Sequence, residues 1–60
     1  MGIQVIVTKA NGEQTLGTVH ESYVDGNRIV FDAFQVPVTL MDIGMVTRRF
    51  YRSQIVVKGN

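Results

Sequence analysis

The sequence predicts an all-β domain, a small barrel of five or six short strands. Three observations lead there. β-Branched residues alternate with polar ones at period two, as Ile3, Val5 and Val7 do against Gln4 and Thr8. Residues that tolerate positive φ recur between such runs, at Asn11-Gly12 and at Asp25-Gly26-Asn27. The chain has 60 residues, which is room for a single domain spanning residues 1–60.

Residues 3–9 make the first strand, with Ile3, Val5 and Val7 on one face and Gln4, Ile6 and Thr8 on the other. Asn11-Gly12 is a hairpin signal. Residues 14–24 make the second strand. Leu16 and Val19 are three apart, so a flat strand cannot place both on one face. Gly17 between them predicts a bulge or sharp bend that resets the alternation, after which Val19 and Tyr23 share a face.

Asp25-Gly26-Asn27 turns the chain again. Ile29-Val30-Phe31 is apolar on both faces and predicts a central or covered strand. Residues 35–40 alternate Val36, Val38 and Leu40 with Gln35, Pro37 and Thr39. Pro37 has no N–H to donate, so it belongs at an edge or an irregular point. Residues 43–52 read as strand. Ile43, Val46 and Phe50 also fit helical spacing with Asp42 as N-cap, but Gly44 and Thr47 weaken a helix there.

Composition excludes several classes. With no cysteine there is no disulfide and no thiolate metal site, and the lone His20 is too few for a histidine site. No cofactor or metal is implied. The net charge of +1 sets up no strong field over the whole chain. No signal-peptide pattern is visible, and no apolar run approaches membrane-spanning length. The expectation is a cytoplasmic protein that does not engage membrane. Hydrophobic residues are 45% of the chain, more than so short a domain hides by itself. Some apolar surface is expected to face another subunit, making a homo-oligomer.

Asn11-Gly12, Gly17, Val19, Asp25-Gly26-Asn27 and Ile29-Val30 together resemble the first motif of Sm-like proteins. There a glycine five positions after the turn bends strand two, and a loop bearing Asp and Asn precedes strand three. Residues 40–46 are similar to the short second motif, although Met41-Asp42 stands where that motif has a basic or Arg-Gly pair. The resemblance implies an SH3-like, Sm-like barrel and RNA as a partner class. It also implies that Asp25 and Asn27 are loop contacts to a base or ribose.

Arg48-Arg49-Phe50-Tyr51-Arg52 is the candidate nucleic-acid-binding segment, for RNA or single-stranded DNA. Cations neutralise phosphates and aromatic faces stack on bases. As a strand it puts Arg49 and Tyr51 on one face, and Arg48, Phe50 and Arg52 on the other. The same arginines also suit an acidic protein partner, which makes an adaptor module the alternative. Ile55, Val56 and Val57 form an apolar strand beyond a complete barrel and are expected to pair across a subunit interface. His20 and Ser22 share a face, but no carboxylate is placed to orient the imidazole. No catalytic residue is proposed, and the chain does not read as an enzyme.

Overall fold

The computed structural model describes residues 2–30 and 34–59. The alternating first segment becomes β1 (Gly2–Thr8), with Val5 and Val7 fully buried. A turn over Ala10, Asn11 and Gly12 returns it antiparallel into β2 (Gln14–His20). Gly12 alone takes the positive φ, at 89°, and the Lys9 N–H closes the loop onto the Glu13 carbonyl at 2.8 Å. Asn11 contributes through its side chain, whose Oδ1 accepts the Glu13 N–H at 2.9 Å.

The β1–β2 register runs unbroken from Gly2↔His20 to Thr8↔Gln14. No extra residue interrupts it, so the bulge expected at Gly17 is absent and the alternation is not reset. Leu16 points outward and Val19 inward, as a regular strand requires. Gly17 has a different reason to be glycine. An added Cβ would lie 2.6 Å from Val38 Cγ1 and 3.0 Å from the Thr39 carbonyl oxygen. The neighbouring strand passes too close for any side chain.

After His20 the chain leaves the sheet through a 3-10 turn, Glu21–Tyr23, and does not continue the strand to Val24. His20 caps that turn, its Nδ1 accepting the Ser22 N–H at 3.1 Å. A separate hairpin follows, β3 (Val24–Asp25) and β4 (Arg28–Ile29), around Gly26 at φ 66°. Of the central or covered strand expected at Ile29-Val30-Phe31, Ile29 alone is in a strand among the described residues, in a two-residue hairpin arm outside the main sheet. Ile29 packs against the core, while Val30 is exposed. Phe31 and Asp32 lie outside the described residues.

β5 (Gln35–Leu40) buries Val36, Val38 and Leu40. It pairs fully with β6 (Val46–Tyr51), but with β2 only at Gly17↔Leu40 and Thr18↔Thr39. Pro37 therefore sits where β5 has no β2 partner, which a residue without an N–H tolerates. A second 3-10 turn, Arg52–Gln54, leads into β7 (Ile55–Val57), which pairs antiparallel with β1. The tail is thus part of the sheet, and the expectation that it stays unpaired within one chain is corrected. Ile55 is a core residue, 6% exposed.

The result is all-β, a five-stranded antiparallel sheet in the order β6-β5-β2-β1-β7 plus the β3–β4 hairpin. No helix among the described residues is long and apolar enough to cross a membrane. The sheet must curl. Its two edge strands, β6 and β7, are joined by the three residues of one 3-10 turn. From Tyr51 to Ile55 the chain reaches at most about 14 Å. The edges of a flat five-stranded sheet lie about 19 Å apart. Gln54 holds the joint: its Oε1 accepts the Tyr51 N–H and its Nε2 donates to the Thr8 carbonyl, each at 3.0 Å.

Gly17→Val should destabilise the fold by about 1–3 kcal/mol, the scale of overpacking a filled core. Part of that loss should be recovered in Gly17→Ala combined with Val38→Ala, since the second change clears the space the first one fills. Urea midpoints that are unchanged in Gly17→Val, or strictly additive in the pair, would remove the close approach as the reason for glycine.

Candidate nucleic-acid interface

The basic segment lies on an edge strand whose two faces have different surroundings. Register with β5 sets Val36 opposite Phe50, Val38 opposite Arg48 and Leu40 opposite Val46. Phe50, Arg48 and Val46 thus project on the core side of the sheet. Phe50 is half-buried and packs against the core, whereas Arg48 and Val46 are exposed. The outer face carries Thr47, Arg49 and Tyr51, and Thr47 shares a 3.0 Å hydroxyl contact with Thr39.

The core side opens into a groove of about 420 Å³ between β6 and the β1–β2 turn. Lys9, Asn11, Ile43, Arg48, Arg49 and Phe50 are among its walls. The fold therefore brings Arg48, Arg49 and Phe50 of the predicted segment together with two turn residues from the far end of the sequence. It does not bring Tyr51 or Arg52 there. Tyr51 is 54% exposed on the outer face, and Arg52 begins the 3-10 turn. Asp25 and Asn27 flank and form the β3–β4 turn, and do not line this groove.

Charge in the groove is unevenly satisfied. Lys9 Nζ lies 2.9 Å from Asp42 Oδ2, the one ion pair among the described residues. Hydrogen bonding to Lys9 holds the Asp42 carboxyl below the usual aspartate range; burial opposes this, and a Thr15 hydrogen bond reinforces it. Arg48 and Arg49 have no acidic partner among the described residues. Two guanidinium groups are left to meet an external anion, and a guanidinium matches phosphate or carboxylate in a bidentate fork.

The connection between β5 and β6 is unusually apolar for a turn. Met41, Ile43 and Met45 are exposed, as is Val46 at the start of β6. Gly44 and Met45 take positive φ, 83° and 64°; for Met45 this is a conformation that L side chains rarely adopt. Residues 43–45, expected to extend the strand, are this turn, and strand begins at Val46.

His20 and Ser22 do come together, with Nδ1 2.7 Å from Ser22 Oγ. The ring serves as the cap of a 3-10 turn and stands edge-on to Tyr23 at 6.0 Å. Among the described residues no carboxylate bonds its other nitrogen, so within them the pair has no third group to orient it. Among the described residues no group of three or more His, Cys, Asp or Glu side chains could hold a metal ion.

From sequence, Lys9, Asn11 and Ile43 read as strand and turn residues and not as parts of a site. The one usable signal was Lys9 beside a hairpin turn, and nothing local tells which strand that turn will face. No family model, curated protein or solved structure matches the chain.

The Lys9–Asp42 pair gives a signed pH dependence. A carboxyl depressed in the folded state contributes stability above the unfolded carboxylate range and loses it as pH falls through the folded value. Asp42→Asn should therefore lower the thermal midpoint at neutral pH, with the difference from the parent closing as pH falls below the aspartate range. An equal difference at neutral and strongly acid pH would show that the bridge contributes nothing through its charge.

Proposed function

We propose that the chain is an oligomeric binding module on a small SH3-like, Sm-like barrel. Its groove holds the phosphate backbone of single-stranded RNA or DNA. The observation that carries this reading is Arg48 and Arg49, without acidic partners among the described residues, beside the half-buried Phe50. Cations next to an aromatic ring suit a strand with a charged backbone and flat bases. The curl that the short β6–β7 link demands supports the barrel, as does the 3-10 turn before the last strand.

Self-association has its own support. Ile6 stands opposite Leu16 on one side and Val56 on the other, so an apolar stripe crosses the outer face of β2, β1 and β7. Leu16 is 39% and Val56 64% exposed. Of the three tail residues proposed for the interface, Val56 has the exposed side chain, while Ile55 serves the core. A protein-adaptor function is the second reading. The exposed Met41, Ile43, Met45 and Val46 favour it, because apolar loop surface suits a protein partner better than a phosphate chain.

Salt titration of binding to single-stranded oligonucleotides separates the two readings. Counterion release demands an affinity that falls steeply with salt, and the adaptor reading requires no binding. Arg48→Ala and Arg49→Ala should each weaken binding and reduce the salt slope by up to about one unit, with Arg52→Ala having less effect. Binding by the double variant as tight as the parent's would remove the groove from the account.

Oligomerisation is checked by sedimentation velocity. Val56→Asp should shift the parent oligomer toward monomer while leaving the fold intact, since Val56 lies outside the core. A monomeric parent, or an oligomer unmoved by Val56→Asp and Leu16→Asp together, would count against the stripe as an interface.

A further inference from the structure

We infer that the cleft between the diverging ends of β2 and β5 is a nucleobase site. The inference rests on the proposed groove for the phosphate backbone and names what that backbone presents to the protein. The β2–β5 ladder stops after Thr18↔Thr39, and the strands part toward His20 on one side and Pro37 on the other. The gap is a cleft of about 350 Å³, within the range of roughly 300–1,000 Å³ common for ligand sites. Thr18, His20, Tyr23, Pro37, Thr39 and Thr47 are on its walls.

The lining suits a flat ring with a polar edge. Tyr23 and Pro37 supply apolar ring surface. The three threonine hydroxyls each donate or accept, which serves the mixed edge of any base. His20 adds a directed donor. Its Nδ1 already accepts the Ser22 N–H, so the neutral ring carries its hydrogen on Nε2. Single-stranded nucleic acid is read in this way, by ring contact and hydrogen bonds to unstacked bases.

Position links the cleft to the groove. Pro37 stands directly opposite Arg49 across the β5–β6 pair, and Thr39 opposite Thr47. Arg49 also lines the groove. Arg49 is thus the residue of the edge strand that both lines the groove and pairs with a wall of the cleft. A phosphate held by Arg49 leaves its nucleotide free to turn its base across the outer face toward Thr47, Thr39 and His20. The hydroxyls and the ring lie on that face, and the arginine sits where the backbone must cross the edge.

The test compares a uridine hexanucleotide with an abasic hexanucleotide of equal charge, using amide shifts of the full chain and affinities at matched salt. Both ligands should shift Arg48, Arg49 and Phe50, and the base-bearing one alone should shift Thr18, His20, Thr39 and Thr47. The base-bearing ligand should bind about tenfold more tightly or better, the scale of one base–aromatic contact. Thr47→Val, an exposed and shape-conserving change, should remove much of that advantage without altering abasic binding; His20→Gln should do the same. Equal affinity for the two ligands, or identical shift patterns, would overturn the base site while leaving the groove intact. Shifts in the cleft with none at Arg48 and Arg49 would keep the base site and overturn the groove. The absence of shifts at either place would overturn both.

Discussion

The sheet depends on a contact that only a missing side chain allows. Val38 Cγ1 lies within 2.6 Å of the point where a Cβ on Gly17 would stand. β2 is the middle strand of five, and β5 reaches it at two residue pairs alone. At that crossing Gly17 faces both Val5 and Leu40 in register, so the close approach joins the two halves of the sheet. Any larger residue would push β5 off β2, and β6 would go with it. Beyond the crossing the strands diverge, and that divergence makes the cleft beside His20.

Size explains why the contact matters so much. The buried core among the described residues is mostly valine, with Leu40 and Ile55 as the larger members. A chain of this length buries about 60% of its unfolded surface, and its net stability is a small remainder of large opposing terms. Within that margin Ile55 counts heavily. Burying one aliphatic side chain is worth roughly 1.5–3 kcal/mol, which is why the last strand is integral to the fold. Gln54 adds to the same end, with one hydrogen bond from the Tyr51 N–H at the end of β6 and one to the Thr8 carbonyl of β1.

The edges carry the surface chemistry. β6 is exposed along its length except at Phe50 and bears adjacent arginines, a device that discourages pairing with a further strand. The same arginines, without carboxylate partners among the described residues, line a groove whose other cation is paired with Asp42. One strand thus serves solubility and the proposed anion contact with the same groups. The apolar stripe of Leu16, Ile6 and Val56 lies on the outer face of the opposite half of the sheet. Binding and self-association are thereby proposed for separate surfaces.

Local chemistry determined much of this chain. Period-two alternation placed β1 and β5 and named Val5, Val7, Val36, Val38 and Leu40 as one-faced residues, because a strand's side chains alternate whatever it pairs with. Gly12 and Gly26 marked turns because positive φ is a single-residue property. Strand, rather than helix, for residues 46–51 also followed from local preference. What depended on distant neighbours was not legible. Gly17 looked like a bulge because sequence shows a phase, while its cause is Val38, twenty-one positions away in the chain. Ile29-Val30 looked central, yet its pairing is set by how soon the 3-10 turn leaves β2. Ile55-Val56-Val57 looked surplus, since no local signal says that β1 has an open edge. The basic segment was visible as a run of residue types. Which of them share a groove with Lys9 and Asn11, and which turn away, was decided by the register of β6 on β5 and by the curl that brings the first turn beside it.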